Sequence, residues 1–244
     1  MENKRLDYLD NIRWITVVLV IIYHIIYLFN NSGVISNIGV KGIQIMDTFL
    51  IFVYPWFMCL LFIVSGISCN YSLRKRSNKE FIKDRAKRIL LPSVLGIFIY
   101  GWISGFITAQ YTDMFAGNGN NIPGFIKYFI YSLMGIGPLW FCHVLFIGSL
   151  LIVLIRKIDK KEKINNLCKK INLPILFILV LLVWGSSFIL NTPLITVYRF
   201  GIYLFMMLLG YYVFSNQELI KKLEKISIQL SLISVVTGIC YVYT

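Results

Sequence analysis

The sequence has few charged residues for its length and few residues that bind metals. Only 14% of its 244 residues are charged, whereas a soluble domain averages about 25%. It contains two histidines and five cysteines, with no CxxC pair and no metal-ligand spacing among them. These shortages argue against a water-soluble globule, a disulfide scaffold and a zinc or haem centre, and we predict no bound metal.

Apolar residues are abundant instead, at 58% of the chain with a mean hydropathy of +0.74. A membrane-spanning helix needs roughly 20 such residues in a row. Seven stretches have or approach that length, one of them including a preceding short helix: 12–29, 48–70, 89–110, 125–155, 173–190, 198–214 and 226–243. We therefore predict an all-α, polytopic membrane bundle of about seven transmembrane helices in a single domain, 1–244, whose oligomeric state the sequence leaves open.

Basic residues are distributed very unevenly between the two sides of this bundle. The chain has 24 Lys and Arg against 11 Asp and Glu, a net charge of +13. One side carries 21 of the basic residues, at the N-terminus and in the segments 71–88, 156–172 and 215–225. The other side has only Lys41, Lys127 and Arg199. The positive-inside rule then predicts a multi-pass protein of the cytoplasmic membrane with its N-terminus inside. The partner that the charge indicates is the lipid bilayer, and no nucleic acid is needed.

The first apolar stretch contains two ionisable residues, Arg13 and His24, eleven positions apart. That spacing is within about 20° of three full helical turns, so both side chains project from one face about 16 Å apart. Arg13 would lie at the cytoplasmic end and His24 well inside the membrane, where an ionisable group by default indicates function. A snorkelling Arg13 and a His24 hydrogen-bonded to a neighbouring helix are the simpler alternatives. As a catalytic group, His24 would be a general base or an acylated nucleophile.

A second candidate site is the pair Arg85 and Arg88 at the start of the third apolar stretch. The i, i+3 spacing predicts both guanidinium groups on one helix face, where they suit the capture of phosphate oxygens. The alternative is that they belong to an ordinary basic cytoplasmic loop.

Two further segments have simpler explanations as well as functional ones. Trp140, in the run Gly137-Pro138-Leu139-Trp140-Phe141, and the nearby His143 are possible substrate contacts. A proline at a helix start and aromatic residues at a membrane interface are also common anchors. Ser65-Gly66 predicts a point of close helix packing.

Five short motifs, in order along the chain, resemble the acyltransferase 3 family of membrane-bound O-acyltransferases. They are Leu9-Asp10-Asn11-Ile12-Arg13 followed by His24, Phe62-Ile63-Val64-Ser65-Gly66, Arg85-x-x-Arg88 before Leu90-Leu91-Pro92, Leu139-Trp140-Phe141, and the stretch from Tyr203 to Tyr212. The family has more spanning helices than this chain, which ends at Thr244 in the seventh. We therefore expect an N-terminal fragment or a shortened member.

The resemblance implies transfer of an acyl group, often acetyl, to a hydroxyl of an extracytoplasmic glycan or a related acceptor, since some members of the family modify lipids or small molecules. The donor would be acyl-CoA, with acetyl-CoA as co-substrate, and no cofactor would be permanently bound. The resemblance also implies that His24 is the catalytic histidine, Arg13 its partner, and Arg85 and Arg88 the donor-binding residues.

Two functions of other classes fit the same composition. A glycolipid or polysaccharide transporter or flippase would also use a polar intramembrane face and a basic inner surface, although paired interrupted helices are not apparent. A non-catalytic membrane subunit would tolerate neutral replacement of His24.

Overall fold

A computed structural model describes residues 7–30, 42–110, 122–192 and 198–243. The α-helices are α1 (Asp7–Tyr27), α2 (Gln44–Leu73), α3 (Asn78–Arg85), α4 (Leu91–Gly96), α5 (Trp102–Gln110), α6 (Gly124–Met134), α7 (Trp140–Ile158), α8 (Lys163–Lys169), α9 (Leu173–Ser186), α10 (Phe200–Tyr212), α11 (Gln217–Lys225) and α12 (Ser227–Tyr243). In these residues the only β contact is an isolated bridge between Asn191 and Arg199. The predicted all-α fold class is confirmed.

The 30-residue helix α2 lies at the centre and packs against α1, α7 and α10. A Cβ atom on Gly66 would overlap the carbonyl oxygen of Met207, and one on Gly210 would overlap that of Ile63. The two glycines therefore let the backbones of α2 and α10 touch, which is how small residues bring membrane helices together. The close packing predicted at Gly66 is confirmed.

The first helix runs antiparallel to α2. Arg13, near the start of α1, contacts Ser68 near the end of α2, whereas Tyr23 stacks on Phe57 with ring centroids 4.9 Å apart. This packing carries Arg13 and His24 to opposite ends of the bundle.

Helices α7 and α10 run parallel to α2. Trp140 and Tyr203, at their starts, contact the ring of Phe62. Further along, the side-chain amide of Asn70 donates to the carbonyl of Tyr211 at 2.9 Å. The starts of α7 and α10 thus point toward the end of the bundle that holds the end of α1, and their later turns toward the end that holds its start.

These directions define two ends of the bundle. We call the end that holds Arg13, Arg85 and Arg156 the basic end; Arg156 there donates to the carbonyl of Leu73 at 3.3 Å. We call the end that holds His24 and the start of α7 the histidine end.

The stretch from α3 to α5 forms one continuous helical run, because two π-helical turns, Ala86–Leu90 and Ile97–Gly101, join its parts. It begins at a capping box in which Ser77 accepts from the backbone of Glu80 and the Glu80 carboxylate accepts from the backbone of Ser77. Such a box fixes a helix start. At the other end of the run, α5 packs on α6, the short helix expected before α7.

Four helical stretches of the described residues are long and apolar enough to cross a bilayer, and five if the bent pair α11–α12 counts as one. The predicted number of seven is not confirmed. Helices α9 and α10 are apolar but have 14 and 13 residues, about 20 Å of helix, which is shorter than a bilayer core of about 30 Å.

The outside of the bundle is strongly apolar. Helices α9 and α12 contain no buried residue, and large side chains such as Trp14 on α1 are 70% exposed. A water-soluble protein does not present apolar surface on this scale. The surface fits the predicted membrane environment.

Candidate functional site

At the basic end, Arg13 is held by two partners on different helices. Its Nη1 lies 3.0 Å from the Asp10 carboxylate one turn earlier on α1. Its Nη2 donates to the hydroxyl of Ser68 on α2, and that hydroxyl in turn donates to the carbonyl of Val64 at 2.8 Å. The guanidinium is therefore fixed at the α1–α2 interface.

The next residue of α2, Cys69, brings Arg85 to the same place. Arg85 Nη2 lies 3.4 Å from the Cys69 sulfur, and its guanidinium lies 5.2 Å above the ring of Phe81. Cys69 is fully buried. It directly follows Ser68, the contact of Arg13 on α2. Two arginines from α1 and α3 thus flank one point on α2.

Arg88 does not share this location. It is 76% exposed, and its Nε lies 2.7 Å from the carboxylate of Asp84. The expectation that Arg85 and Arg88 project from one helix face was wrong, and the physical reason is the π-helical turn that begins at Ala86. Such a turn holds more residues than the 3.6 of an α-helix, so three residues no longer come close to a full turn.

The exposed side of α3 carries a shallow basic cavity of about 480 Å³. It is lined by Arg76, Glu80, Lys83, Asp84 and Lys87. Asp84 pairs with both Arg76 and Arg88, so part of the positive charge at this surface is already neutralised.

His24 lies in the last turn of α1, nearer the end of the helix than the deep position that we expected. Its Nδ1 is 2.7 Å from the carbonyl oxygen of Val20, and its ring meets the edge of Tyr23 at 5.7 Å. Because a carbonyl only accepts hydrogen bonds, Nδ1 carries the proton of the neutral ring. Nε2 then holds the lone pair that a base needs.

The structure does not bring His24 and Arg13 together. They are eleven residues apart on one continuous helix, about 16 Å along its axis, and the partners of Arg13 are Asp10 and Ser68. Arg13 therefore does not orient the imidazole directly. By position it belongs with Arg85.

Trp140 and His143 lie at the histidine end, on the first turn of α7. Trp140 is 7% exposed and packs against Phe62, Tyr198 and Tyr203, so it is a core residue and not an interfacial anchor. His143 Nδ1 lies 2.7 Å from the Tyr198 hydroxyl. Its Nε2 is buried with no hydrogen-bond partner in the described ranges.

A comparison with protein families matches residues 6–244 to the acyltransferase 3 family, described as an acyltransferase domain. The chain belongs to the acyltransferase 3 family. Searches of curated proteins and of solved structures gave no match. Together, the family and the apolar helices make this protein a membrane acyltransferase.

Three side chains of this acyltransferase contact its predicted site residues and were not identified from the sequence. They are Ser68, Cys69 and Tyr198. Each is a small or aromatic residue in an apolar stretch, where such residues are ordinary. Only the helix directions reveal that Ser68 meets Arg13 and that Tyr198 meets His143.

Proposed function

We propose that this acyltransferase moves an acyl group, acetyl above all, from acyl-CoA at its basic end to a hydroxyl of a glycan at its histidine end. The observation that carries the proposal is the separation of the two ends. Arg13 contacts Ser68 and Arg85 contacts the next residue, Cys69, at one end, and His24, with Nε2 available, lies at the other.

The basic end suits the donor because CoA carries several phosphate groups. Guanidinium groups bind phosphate oxygens in pairs of hydrogen bonds. Arg85 is half-buried against α2 and is the main donor-binding residue, with Arg13 beside it. Arg88, exposed and paired with Asp84, is a weaker contact at the entrance.

The distance between the ends sets a requirement on the donor. Arg13 and His24 are about 16 Å apart along α1. When the phosphates are bound at the basic end, the arm of CoA therefore has to span this distance to bring the thioester to His24. Extended pantetheine gives the donor such an arm. Free acetate or a short thioester would lack the anchor and the reach.

At the histidine end, His24 acts as a general base. Nε2 takes the proton of the acceptor hydroxyl while the oxygen attacks the carbonyl carbon of the thioester. The carbon–sulfur bond breaks, the acyl group remains on the acceptor oxygen, and the leaving thiolate receives the proton from His24. Of the two contacts expected at this end, His143 is the one for the acceptor, because Trp140 is packed in the core.

The proposal is tested by measuring from which side of the membrane the donor is used. The purified protein is placed in sealed vesicles, its orientation is read from a protease-sensitive tag, and labelled acetyl-CoA is offered to one side at a time. CoA does not cross the bilayer. Labelled glycan should form only when the donor faces the basic end. Transfer from the histidine end alone, or from neither end, would overturn the proposal.

A further inference from the structure

Arg199 stands out among the basic residues because it lies at the histidine end, whereas most of the others lie at the basic end. It precedes the first residue of α10 and is exposed. No ion pair joins it to a carboxylate within the part of the chain that the structure describes. The positive-inside rule predicts few basic residues on this side of the membrane. Membrane topology therefore does not explain why an arginine without a counter-ion lies there.

The guanidinium of Arg199 lies over an aromatic ring. Its central carbon lies 5.4 Å from the ring centroid of Tyr54 on α2. Stacking on an aromatic ring orients a guanidinium without using its N–H donors. Among the described residues, no side-chain hydrogen bond of Arg199 takes those donors.

A chain of aromatic contacts links Tyr54 to His24. Tyr54 stacks on Tyr23 with ring centroids 6.4 Å apart, and Tyr23 is in edge contact with His24. Two aromatic rings therefore separate the oriented cation from the candidate catalytic base, on the same end of the bundle.

We infer that the acceptor carries an acidic group, a carboxylate or a phosphate, which Arg199 binds beside His24. This inference rests on the proposed function and names its substrate class. The planar fork of Arg199 matches either anion with two hydrogen bonds, while the ring of Tyr54 supports the guanidinium from behind. A hydroxyl on the same sugar or its neighbour would then lie next to His24.

Matched acceptors test this inference. The probes are trigalacturonic acid, a trisaccharide phosphate, and the neutral counterpart of each, made by carboxyl reduction or phosphatase treatment. Binding to purified protein and acyl transfer from acetyl-CoA are measured separately. We expect the wild type to prefer at least one charged form by about tenfold or more, the size of a charge-assisted contact. Which of the two it prefers distinguishes carboxylate from phosphate.

Three variants test whether Arg199 causes the preference for a charged acceptor. Arg199→Gln should abolish the preference for the charged acceptor, while binding and acylation of the neutral acceptors stay unchanged. Arg199→Lys should retain part of the preference, because lysine keeps the charge but lacks the planar guanidinium. Lys127→Gln removes another cation from the side opposite the basic loops, on α6, and should keep the preference. If wild type binds charged and neutral forms equally, or if Arg199→Gln keeps the preference, the inference is wrong and Arg199 is only a contact for lipid headgroups.

The two readouts also separate this inference from the proposed function. Equal acylation of charged and neutral acceptors contradicts the acidic acceptor and leaves acyl transfer standing. If no acceptor is acylated, the proposed function fails, and the binding preference still decides the role of Arg199.

Discussion

The two ends of this bundle use different interactions to hold their functional side chains. At the basic end, charged hydrogen bonds join helices: Arg13 to Ser68, and Arg85 to Cys69. At the histidine end, aromatic contacts connect α1, α2, α7 and α10, with Tyr23 on Phe57 as an example. The difference is the one that the proposed function requires, with an anionic donor at the basic end and the transfer step at the aromatic end.

The largest effect is expected from the histidine end. His24→Ala should lower the rate of acyl transfer at saturating acetyl-CoA by roughly 10²–10⁴-fold, the usual contribution of a general base. Donor binding should be unchanged, because the proposed function places the donor phosphates at the other end. Turnover and equilibrium CoA binding on the same preparation check this. Wild-type turnover in well-folded His24→Ala protein would return His24 to a structural role.

The next effect separates the two arginines that the sequence predicted as a pair. Arg85→Gln should raise the KM for acetyl-CoA about tenfold or more, since it removes a charge-assisted contact worth about 1.5–3 kcal/mol. Arg88→Gln is the matched control. Because Arg88 is exposed and paired with Asp84, its replacement should change KM much less. Equal effects of the two variants would contradict the different positions of these arginines.

The contact between α2 and α10 supports both ends, and a single methyl group should disrupt it. Gly66→Ala places a Cβ against the backbone carbonyl of Met207, and such overpacking costs about 1–3 kcal/mol. Gly185→Ala on α9, with nothing within 4 Å of its Cβ position, is the control and should be neutral or slightly stabilising. Thermal unfolding in detergent measures both. Equal unfolding temperatures would show that α2 and α10 are not in backbone contact.

The smallest effect is expected from loss of the contact between Arg13 and α2. Ser68→Ala removes the hydroxyl that ties Arg13 to α2 but leaves Asp10 in place. One hydrogen bond contributes about 0.5–1.5 kcal/mol, so the KM for acetyl-CoA should rise a few-fold while turnover is retained. Ser72→Ala, one turn further along α2, is the control. A larger fall in turnover than in donor affinity would assign Arg13 to the chemistry at His24 instead.

Much of the architecture follows from the sequence. Apolar runs predicted the all-helical fold, Gly66 predicted a point of close helix packing without its partner α10, and the ordered motifs predicted the family that the comparison confirms. These features depend on composition and local spacing, which a linear sequence contains.

Other features depend on geometry that the sequence does not specify. A π-helical turn separated Arg85 from Arg88, and no spacing rule for regular α-helices anticipates it. The lengths of α9 and α10 left the number of spans unconfirmed. Ser68 and Cys69 became visible as partners of the arginines only when helix directions placed α1 and α3 on the same part of α2.

The most direct test of the two-end arrangement compares two donors in two proteins. Acetyl-CoA and acetyl-pantetheine share the reacting thioester, but only the first carries the phosphates. Wild type should lose about tenfold or more in kcat/KM with acetyl-pantetheine, and Arg85→Gln should show a much smaller difference between the two donors. That non-additivity would measure the contact between Arg85 and the donor phosphates. If Arg85→Gln reduces kcat/KM equally for both donors, Arg85 does not hold the phosphates and the assignment of the basic end to the donor is contradicted.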